Sequence, residues 1–370
     1  MEQKKKKRIN VPILLFCILM AVTLILCAMA FGLWYSGRHA LTATVTAPRL
    51  PPQQTETETP AGQTPEEEAE APAQETAEAA ESFTLEHNGK TYRYNEEMVN
   101  ILLMGIDADE KPSEPLPYGS DIQVDVLLLA ALDLKNQKMT LLSVSRDTMT
   151  DIEILDQNGE SLGYSHSQLA LAYAYGDGLK ESCQLTLDAV SNLFYGLQIH
   201  GYGAFYMGGI AALNDAVGGV TVTILDDFPF SAMGGVYSSM YGGQTMTLTG
   251  QQAYAYIRCR MEDETGNTLR MQRQKQYMLA LMSQALDQVK ENPANLLTLY
   301  NSVSDYVLMD LNLARITYLA TQAASMQFSG EIRSLEGDLT LGANNHMELT
   351  LNEEALFETI LDVFYEEVTE

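Results

Sequence analysis

Strand-type and helix-type apolar runs alternate along residues 83–370, which predicts an α/β fold with a central mixed sheet flanked by helices. Three observations carry this prediction. NILLMGID (100–107) and DVLLLAALD (125–133) are short, continuous apolar runs, as strands covered on both faces require. Residues 269–290 keep a helical pattern until Asn292-Pro293 stops it. FTLEHNGKTYRYN alternates around Asn88-Gly89, the two-residue turn of a β-hairpin.

The elements follow in order. Residues 1–10 contain KKKKR (4–8) and read as a basic cytoplasmic tail. Residues 11–35, VPILLFCILMAVTLILCAMAFGLWY, carry no charge and are long enough for a transmembrane helix. The basic tail keeps the N-terminus inside, Trp34 and Tyr35 suit the outer interface, and the remainder lies outside the cell. Ala28-Met29-Ala30 offers the competing reading of a cleaved signal peptide. Residues 36–82 read as a disordered acidic linker: 51–82 contain nine Glu, no Lys or Arg and almost no large apolar side chain.

The folded domain, 83–370, opens with the hairpin and the two apolar strands. MTLLSVSRDT (139–148) is a further strand, joined to the previous one by a turn at Lys135-Asn136-Gln137. Residues 167–196 have helical spacing, with Leu169, Ala172, Tyr173 and then Leu185, Val190, Leu193 on repeating faces. The Tyr- and Met-rich stretch 202–246 reads as core and loop, with GGVTVTI (218–224) a strand within it. LTGQQAYAYIR (248–258) reads as a helix opening at Thr249. The tail adds an amphipathic helix over 311–326, a short strand at 338–341 and an acidic helix over 352–367.

Charge narrows the function. Formal net charge is −27, and beyond residue 39 there are 48 Asp+Glu against 16 Lys+Arg. An acidic surface of this kind excludes a nucleic-acid partner. The five His are scattered, no Cys pair has zinc spacing, and Cys183 and Cys259 are free to pair or not. Yet Arg258, Arg260, Arg270, Arg273 and Lys275 fall within 18 residues. Guanidinium forks match phosphate oxygens, so the cluster points to an anion site. Ion pairing with Glu262, Asp263 and Glu264 on a solvated face is the plainer alternative. Asp125 opens one strand and Asp147 closes the next, so a hairpin would set both at one sheet edge beside Arg146. Paired carboxylates next to phosphate are how Mg²⁺ is held; strand-end turns and caps are the structural alternative.

Five blocks together resemble the LytR-CpsA-Psr (LCP) family of bacterial cell-wall enzymes. They are VSRDT (144–148), AYAYGDG (172–178), LNDAVGGVTV (213–222), LTGQQAYAYIRCR (248–260) and RMQRQKQ (270–276), and the resemblance covers about 98–290. It implies a phosphotransferase that attaches a polyprenyl-pyrophosphate-linked anionic glycopolymer, of teichoic acid or capsule type, to peptidoglycan. It also implies a single-pass protein of a Gram-positive-type cell membrane with its main domain extracellular. Position by position, the resemblance gives Asp125 and Asp147 to Mg²⁺ (or Mn²⁺) and Arg146, Arg258 and Arg260 to the head group. Arg270 and Gln274 match the arginine and glutamine that open the long helix. The chain departs from the family pattern at Val126, Gln168, Ala170 and Asn267, where Thr, a basic residue, Asn and Asp are usual. Those departures motivate an alternative: a module that binds a polyprenyl-phosphate glycan without transferring it.

Overall fold

A computed structural model of the chain describes residues 31–51, 83–227, 240–259, 266–292, 294–343 and 345–368. Residues 1–30 of the expected tail and membrane span lie outside the described residues. Among those described, no helix is long and apolar enough to cross a membrane. Residues 31–42 form helix α1. The linker expected over 36–82 is corrected at its start, because 36–51 lie on the domain. Leu41 is buried, and the Trp34 ring meets Tyr318 edge-on at 5.5 Å. The Thr46 amide donates to Gln198 Oε1 (2.8 Å) and the Arg49 amide to the Tyr195 carbonyl (2.7 Å). Sparse apolar residues made this stretch read as linker; their partners come from distant elements. Residues 52–82 lie outside the described residues.

The hairpin forms as expected from strands β1 (Thr84–His87) and β2 (Lys90–Tyr94). Asn88 and Gly89 both take positive φ, 51° and 73°, the conformation such a turn requires. The central sheet uses β3 (Met98–Ile106), β4 (Val124–Asp133), β5 (Lys138–Val144), β8 (Gly201–Tyr206), β11 (Val307–Met309) and β12 (Gln327–Ser334). Its order is β11-β8-β3-β4-β5-β12. It is mixed: β3 and β4, β4 and β5, and β8 and β11 are antiparallel, while β3 and β8, and β5 and β12, are parallel.

Alternation along β4 explains the layers. Leu127, Leu129 and Ala131 enter one core with α2 (Ala170–Ala174), α3 (Lys180–Leu193) and α9 (Glu353–Phe364). Leu128, Ala130 and Leu132 enter the opposite core with Leu41 of α1 and Tyr318 of α8 (Leu313–Ser325). Burying each such Leu contributes about 1.5–3 kcal/mol, so the sheet is held from both sides. A third apolar cluster joins α4 (Ile210–Ala216), β9 (Val220–Thr223), β10 (Thr245–Leu248), α5 (Gly250–Arg258), α6 (Gly266–Glu291) and α7 (Asn295–Val303). Thr249 caps α5 in a reciprocal capping box with Gln252.

The helical reading of 167–196 divides in the structure. Its first residues end a hairpin of β6 (Met149–Leu155) and β7 (Ser161–Gln168) that the sequence reading missed. Gly178 at φ 72° then separates α2 from α3. Asp177 Oδ1 accepts the amides of Leu179, Glu181 and Ser182, starting α3 afresh. In the tail, β13 (Gly337–Leu341) pairs with β14 (Met347–Leu351).

Candidate functional site

Strands β3, β5 and β8 end, and β4 begins, at one sheet edge. Ile106 lies opposite Val124 and Tyr206, and Val144 opposite Leu127. Loops converge at such an edge and ligands bind there. Asp125, Arg146 and Asp147 meet there, as the hairpin reading required. Arg146 Nη1 donates to Asp125 Oδ1, and Nη2 to Gln123 Oε1 (2.5 Å). Its Nε lies 3.9 Å from Asp147 Oδ1. Arg146 thus stands between the two carboxylates. The side chain of Asp125 is nearly covered, whereas those of Arg146 and Asp147 remain about one-third exposed. The pair holds the guanidinium at the edge without closing it to a ligand.

Asp147 also anchors the tail. Its carbonyl accepts the Leu349 amide (2.8 Å), and Thr148, fully buried, bridges Leu349. Gln168 Nε2 donates to Asp147 Oδ1 (3.3 Å) and to the Met347 carbonyl (2.6 Å). Burial pushes the Asp147 carboxyl above the usual range, opposed by the positive charge of Arg146 and of His346. Gln168 therefore ties the β13–β14 hairpin to the site where the family pattern has a basic group. His166, two residues before Gln168, pairs with exposed Asp151 (2.9 Å).

Arg258 ends α5. Its Nη1 pairs with Asp109 Oδ1 (2.5 Å), and the Tyr254 hydroxyl donates to the same oxygen (2.5 Å). The Arg258 guanidinium sits 5.3 Å above the Tyr254 ring, a cation–π contact of about 0.5–1 kcal/mol at an exposed position. Asp109 follows β3, so Arg258 is attached to the same sheet edge as Arg146. Both guanidinium groups keep exposed surface at this edge.

Arg273, Gln274 and Lys275, further along the arginine-rich segment, contact neighbouring elements. Arg273 is fully buried. It pairs with Asp226 Oδ2 (3.1 Å), donates to the Cys259 carbonyl and lies 5.8 Å from the Tyr256 ring centre. Lys275 donates to the Ile332 carbonyl (3.1 Å). Gln274, matched to the glutamine that opens the family's long helix, donates to the Ile257 carbonyl (3.1 Å). Its place on the inner side of α6 follows from the packing of α6 against α5. Arg270 lies half-buried one turn earlier on the same helix. Arg260, Asp263 and Glu264 lie outside the described residues.

Sequence reasoning missed Gln123, Asp109, Tyr254 and His346. Asp109 had a signal: it follows an apolar strand at the same edge, as Asp147 does. His346 had none, since only the docking of β14 brings it near Asp147.

The donor set suits Mg²⁺ in kind. Two carboxylates on one edge, with phosphate oxygens from a ligand, make the hard oxygen shell this ion takes. Asp125 and Asp147 are the residues that would hold the ion; among the described residues, no three His, Cys, Asp or Glu side chains gather as a metal cluster.

Fold and site define a layered α/β domain with two arginine–aspartate pairs, Arg146–Asp125 and Arg258–Asp109, at one edge of its sheet. The chain belongs to the LytR_cpsA_psr family, whose model matches residues 62–359. It is 30% identical over 241 residues to the polyisoprenyl-teichoic acid–peptidoglycan teichoic acid transferase TagU of Oceanobacillus iheyensis, covering 65% of this chain and 67% of that protein. It is likewise 30% identical over 208 residues to biofilm regulatory protein A of Streptococcus mutans, covering 55% of this chain and 48% of that one. The chain thus spans about half to two-thirds of the length of these curated relatives. Among solved structures it resembles Bacillus subtilis TagV, with TM-score 0.52 and 23% identity over 72% of this chain and 96% of that one. It also resembles TagT bound to LI-WTA, with TM-score 0.52 and 23% identity over 72% of this chain and 89% of that one. These likenesses place the fold.

Proposed function

We propose that this protein transfers an anionic glycopolymer from a polyprenyl pyrophosphate carrier to peptidoglycan at the outer face of the cell membrane. The observation that carries the reading is the pair of accessible arginines, Arg146 and Arg258, each held by an aspartate at the strand-end edge. The names of relatives such as TagU support it. In the transfer, an acceptor sugar hydroxyl attacks the phosphorus attached to the glycan. A new P–O bond forms, the bond to the polyprenyl phosphate breaks, and the hydroxyl proton is released. Arg146 and Arg258 bind the pyrophosphate oxygens and stabilise charge on the leaving phosphate; each contact contributes about 1.5–3 kcal/mol. Mg²⁺ held by Asp125 and Asp147 would neutralise further charge on the same oxygens. The N-terminal apolar run would keep the domain at the membrane that carries the lipid substrate.

Binding without transfer is the second reading. It is favoured by Gln168, which puts no positive charge beside Asp147 and spends its amide on the β13–β14 hairpin. The test is full-length protein in detergent micelles with Mg²⁺, a polyprenyl-pyrophosphate-linked glycan and peptidoglycan. Release of polyprenyl monophosphate, lost in Arg146→Ala, supports transfer. Tight binding with no release selects the binding module.

A further inference from the structure

Arg258 ends α5, and the carbonyls on either side of it are both claimed by α6. Gln274 takes that of Ile257 and Arg273 takes that of Cys259. A helix C-terminus leaves its last carbonyls without intrahelical partners. Here two neighbouring side chains from one long helix satisfy them. Arg273 is itself immobile: it has no exposed side-chain surface and is paired with Asp226, which is 14% exposed. Tyr256 braces the same corner, donating to Gln276 Oε1 (2.7 Å), while Gln276 donates to the Thr223 carbonyl (2.8 Å). The backbone bearing Arg258 is therefore clamped, although the guanidinium of Arg258 is open to solvent. A buried arginine is a costly way to hold one loop unless the position of that loop matters, since burying its charge carries a large desolvation penalty.

We propose that Arg273 is a positioning residue that fixes Arg258 for phosphate binding by holding the carbonyl that follows it. This rests on the transfer-site reading, which it deepens. Arg273 touches no substrate; its effect passes through the end of α5.

The test uses the full-length chain in detergent micelles and geranylgeranyl pyrophosphate as the probe. Arg273→Met combined with Asp226→Leu replaces both members of the ion pair by apolar groups, so neither is left facing a lost partner. In this double variant, amide exchange at 257–259 is expected to rise about tenfold, with β3, β4 and β5 unchanged, and probe affinity to fall about tenfold. Arg273→Lys is the variant least prone to misfold: it keeps a charge for Asp226 but lacks the fork that also reaches Cys259. It should melt near the parent temperature and still bind the probe more weakly. Parental exchange at 257–259 in either folded variant overturns the proposal, and so does raised exchange with parental affinity. If the parent itself ignores the probe while Arg273 variants loosen 257–259, the transfer-site reading falls and the clamp stands.

Discussion

Arg146 and Arg273 both sit against aspartates, yet they are opposite kinds of residue. The side chain of Arg146 is 36% exposed between Asp125 and Asp147; that of Arg273 is 0% exposed against Asp226. At the sheet edge, water and ligands compete for the guanidinium, so the pair is exchangeable and adds little stability. Between α5 and α6 the pair is shielded from water, and removing either partner takes from the other a buried counter-charge. The same two side-chain chemistries therefore give a solvent-accessible pair in one place and a buried structural contact in the other. Solvent access, not residue type, makes the difference.

This contrast can be broken by mutation. The largest stability effect is expected for Arg273→Ala, which strands the Asp226 carboxylate and should cost about 3–5 kcal/mol in thermal or denaturant unfolding. A loss below 1 kcal/mol would mean that the corner is wetter than the structure shows. Arg146→Ala should do the reverse, lowering transfer or lipid-pyrophosphate binding about 10- to 100-fold, with stability changed by less than about 1 kcal/mol. Arg258→Ala should lower binding to a similar degree without a marked change in melting temperature. If it unfolds the protein instead, the Asp109–Tyr254 contacts are structural.

The smallest effect concerns Asp147. Burial raises its carboxyl pKa in the folded state, so the folded chain holds the proton more tightly than the unfolded chain does. Stability contributed at this residue is therefore greatest below the unfolded value of about 3.9 and falls as pH rises through the folded pKa. Asp147→Asn should melt slightly higher than the parent near neutral pH, and this gain should vanish below about pH 4. A gain that persists in acid would show that the cause is not titration.

Local signals in the sequence determined much of the fold. Period-two alternation with Asn88-Gly89 made the first hairpin legible, and continuous apolar runs made β3 and β4 so. Thr249 marked the start of α5, and Asn292-Pro293 the end of α6. Strand ends placed Asp125, Arg146 and Asp147 together, because a hairpin turn at Lys135-Asn136-Gln137 leaves little freedom in where its arms meet. Elements with weak local signals were lost: β7 carries Ser, Gly and His on a half-exposed hairpin, and β14 is only five residues long. The docking of 36–51 was hidden for the same reason, since its few apolar residues are split between two cores: Leu41 packs with α8 and the sheet, and Val45, Ala47 and Leu50 with the opposite core. Tertiary structure alone divided the arginine-rich segment, turning Arg258 outward to Asp109 and Arg273 inward to Asp226. Sequence spacing fixes which residues share a helix face; whether that face meets water or another helix depends on packing among elements far apart in the chain.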